Sequence, residues 1–215
     1  MNGHPIVTPA VLIVAVAIGF LLGSIPFGYL IGRIFYATDI RAQGSGNIGA
    51  MNALRTFGRV GAATVLILDG AKGLLPVLLA ARLFPVEAGA ISALPAAVAA
   101  AAVLGHCFSP WLGFKGGKGV ATSFGAIFGL SWKAGLIATG GWVLGASLTG
   151  YSSVGSMLGN LLAPFALWIL TVNLPNTLYG AFAAVLIAYT HRENIVRLAT
   201  GRENRIPLGQ NRKNR

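Results

Sequence analysis

Acidic residues are scarce in this chain: five Asp and Glu stand against sixteen Lys and Arg in 215 residues, and charged residues of both signs together make up only 10%. A water-soluble domain carries about a quarter charged residues. The sequence therefore lacks the means to cover a water-facing surface. A single cysteine, Cys107, excludes an internal disulfide and a thiolate metal cluster. The three histidines, His4, His106 and His191, lie far apart and without metal-ligand spacing, so neither a metal nor another cofactor is expected. Residues 1–9 hold no Lys or Arg, and no small-residue cleavage site precedes a soluble stretch, so the first apolar run is expected to be a retained helix rather than a secretory signal. No repeat of fixed period is visible, which weighs against a transporter built from internal repeats.

What the chain does have is apolar length. Hydrophobic residues make up 55% and mean hydropathy is +0.73. Apolar runs cover 7–30, 60–81, 88–104, 136–147, 154–172 and 178–190. A helix rising about 1.5 Å per residue needs roughly 20 residues to cross a hydrocarbon core about 30 Å thick. The expected fold is an all-α polytopic transmembrane bundle of about seven helices. Their expected ranges are 7–33, 60–81, 88–105, 118–131, 134–149, 153–172 and 176–190, the fourth being short. Five or six full spans plus a re-entrant segment fit the same pattern.

The cations set the orientation. Four lie in 33–59, two are Lys115 and Lys118, and seven lie in 192–215. With these segments on one side, the positive-inside rule makes that side cytoplasmic, the N-terminus outward and the C-terminus inward. The chain reads as one domain, 1–215, with 191–215 a basic cytoplasmic segment that meets anionic lipid headgroups. Nucleic acid is not an expected partner, because the basic residues follow membrane topology.

Three cytoplasmic segments carry chemistry. In 44–55, Gly44, Gly46 and Gly49 let a backbone approach a ligand, Ser45, Asn47 and Asn52 offer neutral donors, and Arg55 can fork onto phosphate. An ordinary connection with glycine caps is the alternative, and the density of amides favours a ligand. In 113–122, Lys115, Gly116, Gly117, Lys118, Gly119 and Thr122 resemble a P-loop but fail its pattern, because Leu112 stands where the first glycine belongs and Gly119 where Ser or Thr must hold magnesium. Two cations on a glycine backbone entering a helix still make a phosphate cradle, although they also suit plain interfacial anchoring. In 191–203, His191, Asn194 and Arg197 fall along neighbouring helix positions. Asp69 and Lys72, three apart in an apolar run, are costly in a bilayer, at least about 2.5–3.5 kcal/mol for a lone charge. They read as a salt bridge or, if Gly70 and Gly73 open the helix, as the lining of a polar cavity.

Five segments, 24–28, 44–55, 69–73, 105–122 and 191–203, in order and over nearly the whole chain, resemble the bacterial acyl-phosphate:glycerol-3-phosphate acyltransferases. The resemblance implies a seven-helix enzyme of the bacterial inner (cytoplasmic) membrane with its active site on the cytoplasmic face. It implies transfer of a fatty acyl group from acyl phosphate to the 1-hydroxyl of glycerol 3-phosphate. The products are lysophosphatidic acid and phosphate, in the first acylation step of phospholipid biosynthesis. Neither acyl-CoA nor acyl carrier protein is the donor in that family. Carried over by position, Ser45, Arg55, His191 and Asn194 take catalytic roles. Gly44, Gly46, Asn47, Asn52, Asp69, Lys72, His106, Lys115, Gly116, Gly117, Lys118, Gly119 and Thr122 bind substrate or its phosphate, and Glu203 supports the site. Two departures stand out: Met51 where Thr is usual, and a proline shifted by one at Ser109 and Pro110.

The residues suit this chemistry. Both substrates bring phosphate, one on a lipid tail, so cations beside an apolar slot are what the reaction needs. No soluble-hydrolase elbow and no His-x4-Asp pair is present, the fifth residue after His106 being Trp111. A mixed anhydride needs no strong protein nucleophile, so the glycerol hydroxyl attacks directly and its proton goes to His191 or to the donor's phosphate. A membrane transporter of phosphate esters or anions is the rival reading, and a structural lipid-binding protein a third.

Overall fold

Thr8 opens the first helix. Its hydroxyl accepts from the Val11 amide at 3.3 Å, and Pro9 takes the first helical position, where its missing amide proton costs nothing. The computed structural model describes residues 7–85 and 93–207. His4, part of the third apolar run and the last three cations of the tail lie outside the described residues. Helix α1 (Pro9–Ser24) breaks at Ile25 because Pro26 cannot donate to the helical ladder, and α2 (Phe27–Phe35) completes the span.

Helix α3 (Ala50–Leu83) starts well before the expected residue 60. Gly58, at φ +80°, interrupts it with a backbone conformation that favours glycine. The kink separates a short first stretch, carrying Asn52 and Arg55, from the membrane-crossing part. Segment 44–55 is thus loop only as far as Gly49, and Asn52 and Arg55 are helical. There follow α4 (Leu94–Cys107), a 3-10 turn (Pro110–Leu112), α5 (Val120–Leu130), α6 (Trp132–Thr149), α7 (Ser152–Thr171), α8 (Leu174–Thr190) and α9 (Arg192–Ala199). No strand occurs among the described residues.

The chain is an all-α polytopic membrane bundle. Pro9–Phe35, Ala50–Leu83, Leu94–Leu112 and Ser152–Thr171 are long and apolar enough to cross a bilayer, and Val120–Leu130 and Leu174–Thr190 are shorter apolar helices. The eleven residues of α5 reach only about 16 Å, roughly half the hydrocarbon thickness. Ser131 ends α5 and at once caps α6 by accepting from the Ala134 amide at 3.3 Å. Side-chain size runs opposite to that of a soluble protein. Ala99, Ala102, Ala126, Ala138, Ala163 and Ala183 are fully buried, while Ile13, Ile67, Phe165, Ile169 and Val185 face outward. Small residues bring helices close where lipid tails compete equally for large apolar side chains.

The α3–α5 contact positions the site. A Cβ on Gly73 would lie 2.0 Å from the Thr122 carbonyl oxygen, and one on Gly125 would lie 2.0 Å from that of Gly70. Gly70 and Gly73 therefore do not open α3 into a polar cavity: the helix stays intact there, and the glycines seat the short α5 against it.

Candidate active site

Loop 43–49 is organised by one side chain. Asn52, buried on the first turn of α3, accepts from the Ser45 amide at 2.8 Å. It donates to the carbonyls of Ile40 (3.1 Å), Gln43 (2.9 Å) and Asn47 (2.8 Å). Its amide is committed to the loop, so the residue expected from sequence to contact substrate here holds the shape of 43–49. Asn47 accepts from the Gly49 amide at 2.9 Å and so shapes the entry to α3. Gly44 adopts φ +55°, and a Cβ there would meet Asn52 Oδ1 at 2.2 Å; Gly46 adopts φ +71°. What the loop leaves available is the exposed Ser45 and, one turn beyond Asn52, the half-buried Arg55.

Loop 113–119 folds back over the end of α4. The Gly116 amide donates to the Cys107 carbonyl and the Gly117 amide to the His106 carbonyl, both at 3.0 Å. Gly119, at φ +84°, turns the chain into α5. The Thr190 hydroxyl donates to the Lys118 carbonyl at 3.0 Å, tying the loop to the end of α8. Lys115 is exposed on this loop, whereas Lys118 is drawn inward and its ammonium donates to Asn194 Oδ1.

From there a continuous network runs through α9 and the segment after it. Asn194 Nδ2 donates to Glu203 Oε1 at 2.6 Å, Ser153 Oγ donates to the same oxygen at 3.0 Å, and Arg197 Nε donates to Glu203 Oε2 at 2.8 Å. Segment 201–207 crosses to the α6–α7 turn, where the Ile206 amide donates to the Gly150 carbonyl at 2.9 Å and Arg205 sits 5.5 Å over the Tyr151 ring. Arg55 completes the cluster within electrostatic range of Glu203, Arg197 and Lys118. Three cations thus surround Glu203, and the exposed Glu193, 3.9 Å from Arg197, adds a second carboxylate at the edge.

The network sets the protonation states. Burial, with help from the Arg197 charge, lowers the Lys118 ammonium to about 8. Burial favours protonation of Glu203, but hydrogen bonds from Asn194, Arg197 and Ser153 outweigh it and hold the carboxyl below its ordinary value. Burial, then the Lys118 charge, lowers His191 to about 4. His191 Nδ1 lies 2.8 Å from the Ile187 carbonyl oxygen, which can only accept. The neutral ring therefore carries its proton on Nδ1 and keeps Nε2 as the acceptor.

Asp69, Lys72 and His106 form a separate cluster with side chains only 2–3% exposed. Lys72 Nζ lies 2.8 Å from Asp69 Oδ1 and donates to the Ile25 carbonyl at 2.7 Å. Thr122 is likewise buried. The structure brings Arg55, Lys118, His191, Asn194 and Glu203 together and sets Asp69, Lys72, His106 and Thr122 beneath the loops. Ser109, beside the shifted proline, donates to the Ser24 carbonyl at 2.7 Å, and Trp111 Nε1 donates to Ser24 Oγ at 2.8 Å, so this departure anchors the loop to α1. Sequence reasoning missed Ser153: a serine pair at a helix start gives only a capping signal, and its carboxylate partner lies fifty positions on.

Comparison with known proteins agrees with this arrangement. The family profile described as glycerol-3-phosphate acyltransferase matches residues 13–201. A glycerol-3-phosphate acyltransferase of Gluconobacter oxydans is 45% identical over 204 residues, covering 94% of this chain and 96% of its own length. One from a Synechococcus species is 43% identical over 90% of this chain and 94% of its own. The crystal structure of PlsY, an integral membrane glycerol 3-phosphate acyltransferase, in its glycerol 3-phosphate form superimposes with a TM-score of 0.84 at 36% identity, covering 90% of this chain and 94% of that one. The lysophosphatidic acid form of PlsY gives 0.82 at 35% identity. Matches spanning the fold and all three site segments establish that the chain belongs to the glycerol-3-phosphate acyltransferase family.

Proposed function

We propose that this glycerol-3-phosphate acyltransferase takes its acyl group from acyl phosphate and works at the cytoplasmic face of the cell's inner membrane, N-terminus out, as a single domain ending in a basic segment. The observation that carries the reading is the gathering of Arg55, Lys118 and Arg197 around Glu203, with the exposed Glu193 at the edge, three cations to two carboxylates. The excess positive charge lies where three polar segments meet the end of an apolar bundle. A phosphate ester supplies the missing negative charge, and glycerol 3-phosphate and acyl phosphate both do so. The same geometry disfavours transport. A cleft of about 460 Å³ between α1, α3 and α4 is lined by Val11, Ile18, Leu22, Pro76, Leu83, Val98 and similar residues, and gives a charged ester no lane.

In the proposed reaction the 1-hydroxyl oxygen of glycerol 3-phosphate attacks the acyl carbonyl carbon. An ester C–O bond forms, the C–O bond to the donor's phosphate breaks, and phosphate leaves. Lys118 and Arg55 hold the phosphate groups, and Ser45 with nearby amides steadies the carbonyl oxygen as it gains charge. The hydroxyl proton has two acceptors to choose from. His191 offers Nε2 at about 4, whereas a phosphate monoester takes its second proton near pH 6. The departing phosphate is the stronger base, and His191 orients the hydroxyl through Nε2.

Replacing His191 by Ala should therefore lower turnover by less than about 10²-fold, the lower bound for a working general base. A larger loss, measured at saturating substrates, would make His191 the base. For the donor, purified protein is mixed with glycerol 3-phosphate and either acyl phosphate, acyl-CoA or acyl carrier protein. Acyl phosphate should release phosphate and yield 1-acylglycerol 3-phosphate, and the other two should give no product. Product from acyl-CoA or acyl carrier protein without product from acyl phosphate would overturn the donor assignment.

A further inference from the structure

The Asp69, Lys72 and His106 cluster has no exposed face to offer a substrate, and its contacts lead elsewhere. Lys72 spends its ammonium on Asp69 and on the Ile25 carbonyl, which also accepts from the Phe27 amide at 3.1 Å across the break at Pro26. Asp69 Oδ1 stands 3.6 Å from His106 Nδ1, beyond hydrogen-bond length, so the carboxylate faces this edge of the buried ring as its nearest charge without bonding it. The other edge of that ring lies directly against the glycine–lysine loop: a Cβ on Gly117 would fall 2.1 Å from His106 Nε2. The carbonyls of His106 and Cys107 hold the amides of Gly117 and Gly116 at 3.0 Å each. Lys118 is the next residue.

We infer that this buried knot is a positioning device for the glycine–lysine loop: it fixes the ring and carbonyl of His106 beneath Gly116 and Gly117 and thereby sets where Lys118 points. The inference rests on the proposed role of Lys118 in holding phosphate. A buried ion pair is a poor source of stability, since desolvation consumes most of its attraction, and its best-attested use is to fix register. Here it registers four pieces at one point: the α1–α2 break, the middle of α3, the end of α4 and the loop that enters α5.

The test measures KM for glycerol 3-phosphate and kcat with acyl phosphate, alongside thermal unfolding. Asp69→Asn/Lys72→Met removes both charges together and leaves no unpaired buried ion. It should remain folded, raise KM about tenfold or more through misplacement of Lys118, and lower kcat less. Asn160→Ala, which breaks the buried Ser123–Asn160 hydrogen bond between α5 and α7, serves as a destabilised control whose KM should stay within about twofold. Gly117→Ala, which forces the loop off the His106 ring, should also raise KM. Combined with the charge-free pair it should do no further harm, because both act through the same loop. Multiplied defects would mean that the knot binds phosphate itself, and an unchanged KM in the pair would reduce it to a structural salt bridge; either result overturns the inference. If the pair does not fold, Gly117→Ala decides alone: a raised KM at kept thermal stability supports the seating of the loop on His106, and an unchanged KM overturns it. A wild-type protein that makes no lyso-lipid in this assay would refute the proposed activity instead.

Discussion

Replacing Lys118 by Met is expected to lower kcat/KM for glycerol 3-phosphate by roughly 10²–10³-fold, the usual cost of removing one preorganised charge-stabilising donor. The helices should stay folded, because the loop that carries Lys118 is held by backbone bonds to His106 and Cys107 and by the Thr190 hydroxyl on the Lys118 carbonyl, none of which involves the Lys118 side chain. Lys118 is drawn in from water and donates to Asn194, so its charge acts in a medium that screens it weakly. Lys115, exposed on the same loop, acts through salt. Lys115→Met should raise KM at low ionic strength and much less near 0.15 M, where the Debye length is about 8 Å, whereas the Lys118→Met defect should persist. The pH profile gives a second check. With Lys118 at about 8, activity should fall as pH rises through that value, because the ammonium is what binds phosphate. Lys118→Arg keeps its proton far above that range, so its alkaline limb should move to higher pH even where its geometry costs turnover. An unshifted limb would assign the titration to another group.

Much of the fold was legible in the sequence, because apolar run length answers to the bilayer directly. What the runs could not reveal were the interruptions. Gly58 places Arg55 on a helix that begins near residue 50, yet an isolated glycine in an apolar context gives no local sign of a positive φ. The short α5 was legible as a short segment, and the reason it suffices, its seating on Gly70 and Gly73, is a tertiary contact with no sequence period. Within the site, the cations and amides were legible by type and their division of labour was not. Asn52 and Asn194 look alike in sequence. One holds a loop with every polar atom it has, while the other links Lys118 to Glu203. Asp69 and Lys72 announce themselves as expensive, and only the contact of His106 with Gly117 says what the expense secures.

Loss of Glu203 should cost stability as well as activity. Its side chain is 5% exposed and receives Ser153, Asn194 and Arg197, so it joins α7, α9 and the segment after α9 at one point. Glu203→Gln keeps the size but removes the nearest counter-charge of Arg55, Lys118 and Arg197 and leaves them only the exposed Glu193, 3.9 Å from Arg197, a loss of about 1.5–3 kcal/mol on the scale of hydrogen bonds to a charged group. Thermal unfolding in detergent should show a lowered Tm, and glycerol 3-phosphate should recover part of it, because its phosphate restores negative charge to the cluster. The sign of the pH dependence follows from the carboxyl being held below its ordinary 4.5 in the folded state. The unfolded state then binds the proton more readily, so the stabilisation is fully present above pH 4.5 and is lost as pH falls through the folded value. The Tm gap between wild type and Glu203→Gln should accordingly be widest near neutral pH and close on acidification below 4.5. A gap that stayed constant into acid would mean that shape, and not charge, is what Glu203 contributes. Activity should fall together with stability in this variant, because the amide offers one acceptor oxygen where the carboxylate offers two, so Asn194 and Arg197 cannot both be held as before and the orientation that Asn194 gives Lys118 loosens.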